Sequence, residues 1–377
     1  MIIKRELQEQ LEKWLFKKKA LIVYGARQVG KTTLVKSILR KFPNSAYFDC
    51  ETISAKQSLS IADPVKLRRF IGNTNLVILD EAQKVENIGL SIKLLVDNYP
   101  ELQIIATGSS SFDLANKINE PLTGRALDFF LYPFSVRDMT QIFRPQDISQ
   151  NIERFLVYGT YPEITFQDEA AAKIYLDNLT AKYLYKDLLE FDKIKKSDIL
   201  VRLLQMLALQ IGNEVSSFEL SRELGVDRIT VIKYIDLLEK AFVVFRLRPF
   251  SRNLRKEINK KNKIYFCDLG VRNSLIANFN PLSLRQDTGA LWENFCVAER
   301  IKYLQILEQN RNSYFWRTHD QKEIDYLEEW GGKIEGYEFK WKKETFTKPA
   351  EFIKTYPQSS ISLVNNGNYE IFLGLIY

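Results

Sequence analysis

The sequence contains few of the residues that bind transition metals or form disulfides. Its 377 residues include only three cysteines and one histidine, His319. Cys50, Cys267 and Cys296 lie far apart and form no CxxC pair, which argues against a zinc site or a disulfide framework. Three small buried hydrophobic side chains are the simpler interpretation. The cysteine content therefore favours a reducing compartment, and we expect a cytoplasmic protein.

Long apolar segments are also absent from the sequence. No apolar run approaches the roughly 20 residues that cross a bilayer, so we expect no membrane-spanning segment. The first 16 residues lack the continuous apolar core of a signal peptide. They carry Leu7, Leu11, Trp14 and Leu15 at helical spacing, which predicts an amphipathic helix.

The composition is that of a globular chain with a basic balance. Apolar residues make up 45% of the sequence and charged residues 27%, as is usual for folded domains. The length predicts two or three domains. The net charge of +7 makes nucleic acid or another polyanion a candidate partner.

The segment ALIVYGARQVGKTTLVKSIL, residues 20–39, carries the clearest functional motif. A strand-like apolar run precedes GARQVGKT, and a helix with one apolar face follows it. This matches GxxxxGK[ST] in the strand–loop–helix context of a phosphate-binding loop, whose backbone N–H groups surround phosphates at a helix N-terminus. The residues of this predicted loop are Gly25, Ala26, Arg27, Gln28, Val29, Gly30, Lys31, Thr32 and Thr33.

The loop motif assigns chemical roles to two of its side chains. Lys31 is expected to reach the β- and γ-phosphates, and the Thr32 hydroxyl to bind Mg²⁺. The predicted cofactors are therefore ATP and Mg²⁺.

A second motif, NLVILDEAQ at residues 75–83, places two acidic residues after an apolar run. The run predicts a strand that is buried on both faces, as in a parallel sheet. Asp80 and Glu81 would then lie at the carboxyl end of the strand, where open α/β sheets bind ligands. We expect Asp80 to complete the Mg²⁺ site and Glu81 to orient and deprotonate the attacking water.

Two further residues are candidates for the same site. Thr107 ends the predicted strand LQIIAT and could sense the γ-phosphate; a plain turn before a serine-capped helix is the alternative. Arg125 precedes the predicted strand at 128–131 and could reach the nucleotide of a neighbouring subunit. A surface arginine explains Arg125 equally well. The first interpretation of Arg125 implies a homo-oligomer.

The pattern of strands and helices predicts the fold of the first part of the chain. The strand-like segments alternate with helical patterns, which implies a parallel sheet with helices on both faces. The predicted strands are residues 21–24, 46–48, 76–79, 103–107 and 128–131.

The strings GARQVGKTTL, LDEAQKV, ATGSSSFDL and LTGRALDFFLYPFS resemble the bacterial and archaeal AAA-type ATPases that carry an additional C-terminal domain of unknown function. The resemblance covers essentially the whole chain. It implies an α/β P-loop ATPase domain at 1–147, a helical and winged-helix connector at 148–250, and an α/β restriction-endonuclease-like domain at 251–377.

The middle of the chain is predicted to be helical. RFLVYGTYPEI and YLDNLTAKYLYKDLLEF, residues 154–164 and 175–191, are rich in leucine and aromatic residues. The first contains YGTYPE, which resembles the tyrosine–glycine–proline signature of the same family.

A helix-turn-helix is predicted at the end of this middle part. A capped helix at 217–224 is followed by a glycine turn and a second helix at 228–240, and AFVVFRLRPF reads as a wing strand. The expected inward residues of the second helix are Ile229, Ile232, Ile235 and Leu238. Its expected exposed recognition face is formed by Arg228, Thr230, Lys233 and Tyr234. DNA reading and docking of a protein remain equal alternatives.

A basic run follows the helix-turn-helix and supports a nucleic acid partner through phosphate contacts. A solvated charge run is the alternative. The run consists of Arg246, Arg248, Arg252, Arg255, Lys256, Lys260, Lys261 and Lys263.

The last part of the chain carries an ordered set of acidic residues. Glu293 falls on a predicted helix, Asp325 on a strand, and Glu338 and Lys340 on the next strand, KIEGYEFKW. Helix Glu, strand Asp and Glu-x-Lys is the order of the restriction-endonuclease-like core. Such carboxylates bind one or two Mg²⁺ ions, and the lysine positions or activates water for phosphodiester attack. A solvated strand in a fold that no longer cleaves DNA is the alternative.

Together these motifs predict a Mg²⁺-dependent AAA-type ATPase coupled to DNA or protein remodelling. The alternatives are an ATP-gated, metal-dependent DNA nuclease and a nucleotide-dependent DNA-binding regulatory module. The expected partners are ATP, DNA or a protein client, and further copies of the chain.

Overall fold

The computed structural model describes residues 3–109, 122–184, 197–251, 261–307, 310–318 and 320–376. The chain divides into two compact units. Unit 1 contains Met1–Phe134 and Lys240–Phe242, and unit 2 contains Ser135–Glu239 and Val243–Tyr377. This division does not follow the predicted borders at 147/148 and 250/251, and the three predicted domains stay a prediction.

Unit 1 is built on a five-stranded sheet in the order β2-β3-β4-β1-β5. Each pair of neighbouring strands is parallel, which confirms the predicted parallel sheet. The strands are β1 Ala20–Tyr24, β2 Ser45–Asp49, β3 Leu76–Asp80, β4 Gln103–Gly108 and β5 Ala126–Phe130. Every residue of β1, β3 and β4 is buried, since these central strands are mainly apolar and are covered on both faces.

The described residues of unit 1 form these helices beside the sheet: α1 Glu6–Trp14, α2 Lys31–Leu39, α3 Ile53–Leu59, α4 Pro64–Ile71 and α5 Ile88–Asn98. The predicted amphipathic helix is α1, which buries Leu7 and Leu11. Trp14 lies off the buried face, with 45% of its surface exposed. Its large ring therefore does not belong to the apolar stripe that the spacing suggested.

Unit 2 begins with helices and contains the predicted helix-turn-helix. Its helices are α6 Val136–Met139, α7 Pro145–Tyr158, α8 Glu169–Asn178, α9 Ser197–Leu209, α10 Ser217–Leu224, α11 Arg228–Lys240, α12 Leu269–Leu275, α13 Thr288–Leu304, α14 Ala350–Thr355 and α15 Tyr369–Phe372. A π-helical turn, Leu179–Leu184, follows α8. The rest of the predicted helix at 175–191 lies outside the described residues.

The glycine of the YGTYPE segment has a structural role at the end of α7. Gly159 has a φ of +71°, and a Cβ atom there would lie 2.1 Å from Oδ1 of Asp268. The next residue, Thr160, donates its backbone N–H to Oδ2 of Asp268 at 2.7 Å. A side chain at position 159 would therefore be strained and would also displace this buried carboxylate.

The second sheet has seven strands in the order β12-β11-β10-β9-β7-β8-β6. The strands are β6 Glu214–Val215, β7 Val244–Pro249, β8 Asn262–Phe266, β9 Asn312–Arg317, β10 Glu323–Trp330, β11 Lys333–Phe339 and β12 Ser360–Val364. β7, which the sequence suggested as a wing, pairs antiparallel with β8 and parallel with β9. One sheet therefore continues across the predicted border at 250/251.

The helix-turn-helix has the predicted bounds but a different buried face. Gly225 adopts the left-handed conformation between α10 and α11, with a φ of +66°. Ile235 and Leu238 are buried as expected, but Ile229 is 78% exposed and Ile232 37% exposed. Tyr234, expected on the recognition face, is buried instead.

The predicted inward and recognition faces of α11 are therefore wrong in part, because its apolar residues are spread around the helix and permit more than one stripe. The buried set is Val231, Tyr234, Ile235, Leu237 and Leu238. Within the described ranges, no helix combines the length and apolar character needed to cross a membrane.

Candidate nucleotide and carboxylate sites

The predicted phosphate-binding loop joins β1 to α2 in unit 1. Gly30 has a φ of +96°, and α2 begins at the next residue, Lys31. A Cβ atom on Gly25 would lie 2.2 Å from the backbone oxygen of Leu131, so a larger residue would not fit there. The fold therefore requires glycine at both fixed positions of the motif.

The Lys31 side chain folds over the inside of this loop. Its ammonium donates to the backbone oxygens of Gly25 at 2.9 Å and Ala26 at 3.0 Å. The side chain is only 4% exposed. Since a phosphate is a stronger acceptor for an ammonium than a carbonyl group is, Lys31 is positioned to exchange these contacts for phosphate oxygens.

The carboxylate of Asp80, at the carboxyl end of β3, receives hydroxyl groups from three other elements. Oδ2 accepts from the Thr32 hydroxyl at 2.7 Å and from the Tyr47 hydroxyl at 2.6 Å. Oδ1 accepts from the Thr107 hydroxyl. Hydroxyl and carboxylate oxygens are the ligands that Mg²⁺ prefers, so Thr32 and Asp80 suit the expected ion.

Tyr47 was not predicted from the sequence. It lies on the edge strand β2, and no motif distinguishes it from an ordinary aromatic residue. Burial and the hydrogen bond to Asp80 raise the pKa of its hydroxyl well above the ordinary value. Tyr47 therefore stays protonated and acts as a permanent donor to Asp80.

Glu81 stands beside the loop lysine in an unusual backbone conformation. Its φ is +53°, and its backbone N–H donates to the Thr107 hydroxyl at 3.0 Å. One carboxylate oxygen lies 3.8 Å from Nζ of Lys31. The other accepts a hydrogen bond from the Gln83 side chain at 2.5 Å. The structure thus brings Lys31, Thr32, Asp80, Glu81 and Thr107 together, as the motifs predict.

Gln83 is a second residue that the motifs did not reveal. Its buried amide nitrogen donates both to Glu81 and to the Ser109 hydroxyl, the latter at 2.9 Å. Gln83 thereby connects the acidic residue after β3 to the residue that follows β4. Its place two residues after Glu81, in the turn Ala82–Lys84, is the signal that could have suggested it.

Arg125 lies at the amino ends of the strands of this sheet, whereas the residues above lie at the carboxyl ends. Its backbone oxygen accepts from the N–H of Ala20, at the amino end of β1, whereas the phosphate loop follows the carboxyl end of β1. Nε of Arg125 is 2.6 Å from Oδ1 of Asp97, and both side chains are 38% exposed. Arg125 therefore cannot reach the nucleotide site of its own chain without a large rearrangement.

In unit 2, three carboxylates from α13 and β10 converge. Oxygens of Glu293, Glu323 and Asp325 all lie within 4.8 Å of one another. Lys263, on β8, extends its ammonium to them. Its Nζ lies 2.8 Å from Oε1 of Glu293 and 4.0 Å from Oδ1 of Asp325, and it forms an ion pair with Glu323. We call these four residues the Lys263 cluster.

The structure places the four predicted nuclease residues in two groups. Glu293 and Asp325 belong to the Lys263 cluster, whereas Glu338 pairs with Lys340 at 2.7 Å. Burial and then the charge of Glu293 hold the pKa of Asp325 well above its ordinary value, and the charge of Glu338 acts in the same direction. Burial lowers the pKa of Lys340, but its hydrogen bond to Glu338 and the negative charges of Asp325, Glu338 and Glu293 together outweigh burial and raise it.

Lys263 and Glu323 were missed as members of this site. Lys263 was assigned to a basic run that contacts phosphates, but it is 1% exposed, and this assignment is wrong for Lys263. Arg246 of the same run is paired with Asp236 and Glu239. Four further members of that run, and the histidine, lie outside the described residues: Arg252, Arg255, Lys256, Lys260 and His319.

Comparison with protein families divides the chain into three stretches. Residues 17–140 match a family described as an AAA domain. Residues 149–282 match a domain of unknown function (DUF8612), and residues 288–372 match another (DUF4143).

Similar chains occur in bacteria and archaea. An uncharacterized protein of Mycobacterium tuberculosis is 29% identical over 343 residues, which cover 90% of this chain and 74% of that one. An uncharacterized protein of Methanocaldococcus jannaschii is 26% identical over 314 residues, which cover 71% of this chain and 65% of that one. A Walker-type ATPase of Pyrococcus abyssi has a solved structure with a TM-score of 0.48 and 17% identity, covering 73% of this chain and 96% of that one.

Proposed function

Since this chain belongs to the AAA-type P-loop ATPases of bacteria and archaea and carries a C-terminal domain of unknown function, we propose that it binds ATP with Mg²⁺ and hydrolyses it. One observation carries the proposal. Lys31, Thr32, Asp80 and Glu81 converge at the carboxyl edge of a parallel sheet, around a glycine loop. That edge is where open α/β sheets bind ligands.

Each residue of this site has a proposed role. The backbone N–H groups of residues 25–33 bind the phosphates, and Lys31 neutralises the charge of the β- and γ-phosphates. Thr32 and Asp80 hold Mg²⁺, which neutralises charge that develops on the phosphate oxygens. Glu81 accepts a proton from the attacking water. Thr107 fixes both Asp80 and the backbone of Glu81, so it can relay the state of the γ-phosphate to them.

The direct test is phosphate release from ATP by the purified full-length chain. We expect turnover with Mg²⁺ and none when EDTA removes the ion, because the phosphate charge is then no longer offset. A chain that binds ATP tightly but releases no phosphate at any protein concentration would contradict the enzymatic part of the proposal. A chain that binds no nucleotide would contradict all of it.

We assign Arg125 to the nucleotide site of a second copy of the chain. Its position supports this. Arg125 lies at the amino ends of the strands and Lys31 beyond their carboxyl ends, so Arg125 could contact a bound nucleotide only in a neighbouring subunit. The ion pair with Asp97 would hold the guanidinium in place, and an arginine at the γ-phosphate stabilises transition-state charge.

Mixing two inactive variants tests this assignment of Arg125. Lys31→Ala protein keeps Arg125, and Arg125→Ala protein keeps its own loop, so mixed assemblies contain some complete sites. We expect each variant alone to be nearly inactive and the mixture to regain phosphate release. Arg68→Ala, which removes another cation of unit 1, is the control and should keep full activity. Full activity of Arg125→Ala protein alone would remove Arg125 from the mechanism.

We further propose that hydrolysis drives remodelling of a protein partner rather than DNA. The exposed side of the helix-turn-helix carries Phe218 and Ile229, which are 66% and 78% exposed. Two nearby cations are compensated by acidic residues: Arg246 by Asp236 and Glu239, and Lys261 by Glu219. Binding of the wild-type protein to duplex DNA that weakens steeply with salt would favour the DNA alternative instead. The cytoplasmic location stays a prediction.

A further inference from the structure

The Lys263 cluster lies where the sequence predicts a metal centre, but its contacts differ from those of one. The Lys263 ammonium lies 2.8 Å from Oε1 of Glu293 and 4.0 Å from Oδ1 of Asp325, and it forms an ion pair with Glu323. A Mg²⁺ or Mn²⁺ ion bound by the same oxygens would sit about 2.1 Å from each of them. The ion and the ammonium would then compete for one small volume, and their like charges would repel strongly at such a distance.

These carboxylates also have neighbours in the chain other than Lys263. The Tyr265 hydroxyl donates to the same oxygen of Glu293 at 2.6 Å. The backbone N–H of Phe339 donates to Oδ2 of Asp325 at 2.9 Å. Nε of Arg317 lies 3.6 Å from Glu323. Each of the three carboxylates therefore has at least one positively charged or hydrogen-bonding neighbour in the chain itself, as buried acidic groups need when no ion binds them.

Lys263 is also placed so that it cannot easily leave the cluster. It is 1% exposed, and its strand, β8, is paired on both sides, with β7 and with β6. Nζ lies 5.5 Å from the centre of the Phe315 ring on β9. Lys340, the lysine that the motif predicts as catalytic, is less enclosed: it lies beyond the end of β11, is 35% exposed and pairs with Glu338.

We propose that the Lys263 ammonium is the resident cation of this site. It takes the place of the divalent ion that the restriction-endonuclease-like order of residues implies, and it joins β8, α13 and β10 through their charges. Because the space between Glu293, Glu323 and Asp325 is filled by the chain itself, these carboxylates hold no catalytic divalent ion there, and DNA is not cleaved through Glu293 and Asp325. Lys263 offsets part of the negative charge of the three carboxylates, and the cluster has a structural role.

Binding of Mn²⁺ to the full-length protein without nucleotide tests the proposal. Free Mn²⁺ is counted by electron paramagnetic resonance in titrations of the wild type, Asp325→Asn and Lys263→Met. We expect the wild type and Asp325→Asn to bind Mn²⁺ equally, because Asp325 holds no ion. Lys263→Met keeps the length of the side chain and removes its charge, so this variant should gain one Mn²⁺ site with at least tenfold higher affinity than any site of the wild type.

Two controls connect the gained site to the cluster. Lys263→Met combined with Asp325→Asn should lose it again, and Lys340→Met, which removes a neighbouring lysine outside the cluster, should not gain it. The melting temperature of Lys263→Met should rise with added Mn²⁺, whereas that of the wild type should stay constant. DNA incubated with the wild type and Mn²⁺ should remain as intact as with Asp325→Asn.

Several results would overturn the proposal. One is a wild-type Mn²⁺ site, or Mn²⁺-dependent cleavage of DNA, that is lost in Asp325→Asn. Another is a folded Lys263→Met protein without a new Mn²⁺ site, since the ammonium would then not be what keeps the ion out. If Lys263→Met does not fold, the proposal is tested by comparing Mn²⁺ binding and DNA cleavage between the wild type and Asp325→Asn, because both proteins retain Lys263.

Discussion

Glu81→Gln protein is expected to bind ATP as tightly as the wild type and to hydrolyse it about 10²- to 10⁴-fold more slowly, the usual contribution of a general base. Glutamine has nearly the shape of glutamate but cannot accept the proton of the attacking water. Lys31, Thr32 and Asp80, the residues proposed to bind phosphate and Mg²⁺, are unchanged by the substitution. Phosphate release and the affinity for a fluorescent ATP analogue measure the two quantities separately.

Glu86→Gln is the matched control for this substitution. Glu86 lies five residues further along the chain and is exposed, so its loss should change neither quantity. Hydrolysis by Glu81→Gln protein at the wild-type rate would show that another group activates the water.

Lys31→Ala is expected to weaken nucleotide binding itself, by about 10- to 100-fold. The ammonium is buried and aimed into the loop, where it donates to Gly25 and Ala26. Each hydrogen bond between charged groups contributes about 1.5–3 kcal/mol, and 1.4 kcal/mol corresponds to a factor of ten in affinity. Calorimetric titration with ATP and Mg²⁺ measures the loss directly.

Lys36→Ala provides the comparison for Lys31→Ala. Lys36 lies on the same helix, is exposed, and places its ammonium 4.4 Å from the centre of the Tyr47 ring. It should leave the affinity within about twofold of the wild type, since exposed charges contribute little. Equal affinities of the wild type and Lys31→Ala would mean that the glycine loop does not bind the phosphates.

The convergence of the residues of the proposed ATPase site was predictable because its information is local. Within 20 residues the sequence specifies a buried strand, a glycine loop and a helix start, and Asp80 and Glu81 directly follow a second buried strand. Parallel pairing of β1, β4 and β3 then brings the carboxyl ends of these strands together. No long-range information is needed beyond the rule that parallel strands share one edge.

The parts that were not predicted depend on contacts between distant segments. Tyr47 reaches Asp80 from an edge strand 33 residues earlier in the chain, and Lys263 reaches Glu293 across 30 residues. In the sequence, Lys263 is one more cation in a basic stretch, and only the pairing of β8 inside a sheet shows that it is buried. The face of α11 was ambiguous for a different reason, since Ile229 and Val231 are equally apolar and only packing decides which is buried.

The seven-stranded sheet limits how evolution can exchange parts of this gene. β7 contributes the hydrogen bonds that connect β8 to β9, yet it is encoded before residue 251, and β9 to β12 are encoded after residue 311. A recombination event that replaced only residues 288–372 would combine new strands β9 to β12 with an old β7. The backbone groups of the old β7 and the new β9 would then pair only if both strands had kept the same register. Strands that failed to pair would expose unpaired backbone groups, which favour aggregation. The segments that match two separate families of unknown function are therefore expected to be inherited together, as one unit of descent.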